Sequence, residues 1–172
     1  MPLALSRVDW SEWSLSVLLV PACAYVLAVP WDAGGWVGAP WLLMHSMCLL
    51  VHEAGHFLFR WFGEWMMFAG GSILQLALPA LIGWSALTWG NRVVVQLGFF
   101  WLGQSFVDVS VYAADAQART LPLIGGLGDD AHDWYRMLEP LDLLGHAELI
   151  AAALVACGVA AWAFALAAPR WV

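Results

Sequence analysis

The chain has 172 residues, 63% of them hydrophobic and only 11% charged, with 13 Trp, no Lys and a net charge of −7. That composition belongs to a helical membrane domain rather than a soluble core, and an acidic balance without a basic patch excludes a nucleic-acid partner. Cys23, Cys48 and Cys157 are scattered through apolar runs without C-x-x-C spacing, so they read as small core residues and not as a disulfide framework.

Residues 1–12 form a short polar leader. Asp9 and Glu12 beside the lone Arg7 do not make the basic start of a signal peptide, so the apolar segment that follows is expected to be a retained span. This first span covers residues 13–29, is closed by Pro30 and carries no ionisable group, which fits a packing role. Residues 31–39, with Asp32, Gly34, Gly35 and Gly38, read as a loop.

The second span, residues 40–62, is a long apolar run interrupted by His45, His52, Glu53 and His56. His52-Glu53-Ala54-Gly55-His56 has the form H-E-x-x-H. On a helix its two histidines lie one turn apart on one face, so both can bind a single Zn²⁺ with Glu53 beside them as general base. Short motifs recur by chance, and a His pair can be an ordinary hydrogen-bonded core feature. Burying a carboxylate and several imidazoles in lipid costs several kcal/mol, however, which makes an accidental occurrence rare.

Residues 65–71 are apolar but end in Gly70 and Gly71, too short to cross a bilayer, and suggest a re-entrant or interfacial segment. The third span then runs over residues 72–90, where Ser72 and Gln75 have capping-box spacing; that role is favoured for Gln75 over substrate binding. Asn91 and Arg92 turn into the fourth span, residues 93–115. Its second half carries Asp108, Tyr112 and Asp115 at i, i+4 and i+7, a polar stripe that should face the bundle interior or an aqueous pocket. A glycine-rich loop follows over residues 117–130, and Asp130 can cap a short helix over 131–139 with Asp133 in its first turn. The last span covers residues 143–168, with Asp142 as its cap.

The expected fold is an all-α polytopic bundle of about five spans, one domain over residues 1–172 embedded in a lipid bilayer. Five alternating spans place Arg7, Arg60, Arg119 and Arg136 on one side and Arg92 and Arg170 on the other. That bias puts the N-terminus in the cytoplasm and the C-terminus across the membrane.

Two histidines leave a catalytic zinc site one ligand short. Asp108 matches His52 in depth, Asp115 lies on the same stripe, and His132 begins the loop helix. Asp142, Asp129 and Asp130 are better explained as caps or solvated groups. His45, two turns before His52, suits a supporting partner or a pocket residue rather than a ligand, and His146 suits the interface.

A His-Glu-x-x-His helix within a span, followed by one span and then an aspartate-bearing span, resembles the site-2 protease family of intramembrane zinc metalloproteases. In that family the completing aspartate stands in an Asn-Pro-Asp-Gly or Leu-Asp-Gly context on the third core span; Asp108 and Asp115 occupy that span here without the context. A narrower resemblance covers residues 52–134. Tyr112-Ala113-Ala114-Asp115-Ala116, Leu121-Pro122-Leu123-Ile124-Gly125-Gly126 and His132-Asp133-Trp134 are similar to a pattern in small bacterial membrane proteins that carry His-Glu-Ala-Gly-His. That resemblance implies a bacterial inner membrane and favours Asp115 and His132 as the groups that complete the zinc site with His52 and His56.

The function expected is zinc-dependent cleavage of a membrane-embedded peptide, with Glu53 as general base. The rivals are an iron-dependent membrane oxidase or hydroxylase and a catalytically inactive metal-binding scaffold.

Overall fold

The computed structural model describes residues 10–123 and 131–172. Among these residues the fold is all-α. Helices α1 (Ser14–Ala28), α2 (Gly35–Phe59), α3 (Glu64–Thr88), α4 (Arg92–Ala114) and α6 (Ala147–Ala167) are long, and α5 (Asp133–Leu138) is a short helix before the last of them. The five long helices, with the 3₁₀ turns that extend three of them, are long and apolar enough to cross a membrane. That is the signature of a membrane protein.

Helix α4 is the central element, packed by α6, α3, α1 and α2. It is also the most polar inside: Gln96, Gln104, Ser105, Asp108 and Ser110 are all buried in the bundle. Lipid offers these groups no partners, so they face other helices. Gln96 donates to Ser16 Oγ at 2.7 Å and to Ala165 O at 3.2 Å, tying α4 to α1 and α6. Trp162 of α6 donates its indole N–H to Phe100 O at 2.9 Å.

Three expectations are corrected. The segment over residues 65–71 is not re-entrant; it is the first part of α3, which begins at Glu64 rather than Ser72. Gly70 and Gly71 are contact points rather than breaks. A Cβ on Gly55 of α2 would lie 2.7 Å from Gly70 C and 2.8 Å from Gly71 Cα, so the two backbones touch. Ser72 is therefore inside a helix and caps nothing, and Gln75 is free for another use. The second span likewise starts five residues early, because Pro40 is tolerated in the first turns of α2.

The simple alternation of five spans also fails. Arg92 donates to Glu12 at 3.2 Å and to Val172 O at 3.0 Å, and Arg170 lies over the Trp13 ring. The start of α1 and the end of α6 therefore share one end of the bundle. Both α1 and α2 run away from that end: Ser16 is beside Gln96, whereas the last turns of α2 meet the first turns of α3 at Met67. Arg7 lies outside the described residues.

The smaller features differ too. Helix α5 is capped by His132, with Asp130 outside the described residues. Asp142 is not the cap of α6; it ends a 3₁₀ turn in the left-handed region at φ 56°, and α6 starts after His146 without a side-chain cap.

Candidate metal centre

His52 and His56 face α3 from the second half of α2. His56 Nδ1 lies 2.8 Å from Met67 O. A carbonyl only accepts, so Nδ1 carries a proton and Nε2 is the nitrogen turned toward Asp133. His52 is buried, with Nδ1 3.0 Å from Gln75 Oε1 and its ring against Gly71. The two Nε2 atoms converge on one oxygen: Asp133 Oδ2 is 2.9 Å from that of His52 and 3.2 Å from that of His56.

These three residues form a group whose ligand atoms all lie within 4.8 Å of one another, so it could hold a metal ion. The donor chemistry fits. Imidazole nitrogen lone pairs and a carboxylate oxygen do not face one another at hydrogen-bond distance without a proton or a cation between them. Zinc bonds of about 2.0–2.1 Å in a tetrahedron give ligand–ligand edges of about 3.3 Å. Two of the three separations, 2.9 and 3.2 Å, are close to that edge, and the whole group lies within 4.8 Å.

Asp133 is the member of this group that sequence reasoning missed. It opens α5, whose docking supplies every constraint on it. Its backbone N–H donates to Tyr112 Oη at 3.0 Å, Trp65 donates to Met137 O at 3.2 Å, and Arg136 pairs with Glu64 at 2.7 Å. Burial alone pushes the Asp133 carboxyl up, but its bonds to His52 and His56 outweigh this and hold it below the usual range. The available signal was its place beside His132 on a helix start.

Asp115 and His132, expected as ligands, are outside that group and pair with each other at 3.2 Å. His132 Nδ1 accepts from Tyr135 N at 3.2 Å as the cap of α5, which commits Nε2–H to Asp115. Burial keeps the His132 imidazole below its ordinary value despite the neighbouring Asp115. Asp115 also accepts from Thr120 N, Thr120 Oγ1 and Leu121 N at 2.9, 2.7 and 3.0 Å. Burial raises its carboxyl, yet these donors win and lower it. The pair thus forms a clasp that seats α5 on α4. Asp129 and Asp130 lie outside the described residues.

Asp108 lies near the group, as its depth suggests, but is not part of it. Asp108 accepts from Gln75 Nε2 at 2.7 Å and bonds His45 Nδ1 at 2.7 Å. It reaches the metal group only through Gln75, and His45 is a partner of Asp108 rather than a ligand. No protein-family model, curated protein sequence or solved structure matches the chain. Its chemistry is therefore read from the site itself.

Glu53 and the metal group line one cavity of about 450 Å³, walled mainly by apolar side chains including Trp41, Leu49, Phe68 and Leu121. Glu53 is exposed to that space, and among the described residues no hydrogen bond or ion pair holds its carboxylate. Among the described residues no Lys or Arg lines the cavity.

Proposed function

We propose that this protein is a zinc-dependent intramembrane metalloprotease that cleaves membrane-embedded peptide segments. One observation carries the reading: the two Nε2 atoms of an H-E-x-x-H helix converge on a single carboxylate while the motif glutamate is left unpaired in the same apolar cavity. Held by His52, His56 and Asp133, a zinc ion would supply a Lewis acid for the peptide carbonyl and acidify water, whose pKa can fall to about 7. Glu53, unpaired, takes the proton from the attacking water and returns it to the leaving amine nitrogen. Met67 O holds the His56 ring with its Nδ1–H, and Gln75 holds the His52 ring. The apolar walls accept hydrophobic side chains and strengthen the electrostatics of the centre by limiting water.

A second reading has a specific observation behind it. Two histidines and one carboxylate are also the ligand set of non-haem iron oxygenases. The free Glu53 at the base position favours hydrolysis, which needs a group there to take the proton of the attacking water.

Metal analysis of the purified chain, with cleavage of a single-span reporter peptide, tests the proposal. About one zinc per chain is expected, as in catalytic sites with this ligand type. Asp133→Ala should lose that zinc. Glu53→Gln should keep it and lose cleavage by about 10²–10⁴. Stoichiometric iron without zinc would favour the oxygenase, and full cleavage by Glu53→Gln would end the protease reading.

A further inference from the structure

Gln75, three helical turns into α3, is 3% exposed and stands between two groups that are themselves buried, His52 at 5% and Asp108 at 8%. Its two amide atoms are not interchangeable there. Asp108, as a carboxylate, can only accept, so the amide nitrogen must face it, and does so at 2.7 Å. The amide oxygen is then forced toward His52 Nδ1, 3.0 Å away. An oxygen at that place accepts and cannot donate. The reverse orientation would set two acceptors against each other at the carboxylate in a site too buried for water to repair. The second oxygen of Asp108 is occupied by His45 at 2.7 Å, so the carboxylate is held from both sides.

We infer that Gln75, polarised by Asp108, is a positioning residue that fixes His52 in the Nδ1-protonated tautomer and so presents its Nε2 lone pair to the metal. The inference rests on the metal-centre reading above. It accounts for a buried carboxylate and a buried amide that touch no ligand atom of Asp133 and have no capping role. It also gives the interior helix position of Gln75 a chemical purpose: a ligand histidine whose second nitrogen met a donor would carry its proton on the wrong side.

The experiment uses the full chain purified in detergent, zinc as the only added metal, and chelator competition to measure affinity. Gln75→Leu removes the acceptor and should weaken zinc binding by about 10–100-fold, the usual cost of losing a partner that orients a ligand. The exchange Asp108→Asn with Gln75→Glu is the decisive variant. Glutamate offers only acceptors, so one oxygen still receives His52 Nδ1–H and the other receives the Asn amide, whose oxygen remains for His45. This double variant should bind zinc within a few-fold of the parent. Unchanged affinity in Gln75→Leu, or a double variant as weak as Gln75→Leu, would overturn the inference. Nitrogen-15 spectra of the zinc-free parent, with the His52 signal assigned by its loss in His52→Ala, read the tautomer without relying on either variant. A His52 that carries no proton on Nδ1 there would overturn it too. Failure of the parent to bind zinc while His52 is Nδ1-protonated would instead count against the metal centre and leave the positioning intact.

Discussion

Gly71→Ala adds one methyl group to α3 and tests the site from outside its ligand set. The new Cβ would lie against His52 Nε2, and 2.6 and 2.7 Å from Cδ2 and Cε1 of the same ring. Ordinary contact begins near 3.4 Å, so something must move by the better part of an ångström. The backbones cannot separate cheaply, because that would open the close packing of Gly55 against Gly70 and Gly71. The imidazole is the part that yields. Overpacking of this kind costs about 1–3 kcal/mol when it cannot be relieved. Zinc-free protein relieves it by turning the ring aside, whereas zinc binding requires the ring in place. The cost therefore falls on binding, and 1–3 kcal/mol corresponds to about 5–150-fold weaker zinc. Chelator competition on purified protein measures this, with Gly145→Ala as the control, since nothing lies within 4 Å of a Cβ there. Parental zinc affinity in Gly71→Ala would refute the placement of His52 against α3.

Two further outcomes are expected. The Asp115 carboxyl is held below its ordinary value near 3.9, so its contribution to stability is complete at neutral pH and is lost as the pH falls below about 4. Asp115→Asn should flatten part of the acid limb of stability measured by thermal melts between about pH 6 and 3; superimposable limbs would show that the clasp carries no stabilising charge. Reporters fused at the two chain ends should report the same side of the membrane, because Arg92 bridges Glu12 and Val172. Opposite sides would contradict that contact.

The long helices were legible because an apolar run of about 20 residues has few alternatives in lipid, and α4 was placed to within a residue at each end. The motif pair was legible for a similar reason: i, i+4 spacing fixes one face. What failed was meaning that depends on a partner. Gly70 and Gly71 resemble a chain break in sequence, yet they are the places where α2 comes close enough to touch α3. Ser72 and Gln75 have the spacing of a cap, but the same spacing recurs along every helix interior. The third member of the candidate metal group lies one position from the residue the sequence suggested. His132 and Asp133 are adjacent, and only the docking angle of α5 decides which turns toward His52 and which turns back to Asp115. No periodicity in six residues of helix carries that angle.

Among the described residues α5 is the one α-helix too short to cross a membrane, yet it brings Asp133 to a pair of histidines encoded much earlier in the chain. During synthesis the α2–α3 hairpin would be complete while the group still lacked its carboxylate. Assembly of the centre is therefore a late event, finished by a polar segment returning to helices already in place. An ion held by all three side chains would also fasten α5 to the bundle, so retention of the ion and retention of the helix are a single linked equilibrium. Loosening Arg136 from Glu64, or Trp65 from Met137, would then be felt as a faster loss of metal by residues that never approach it.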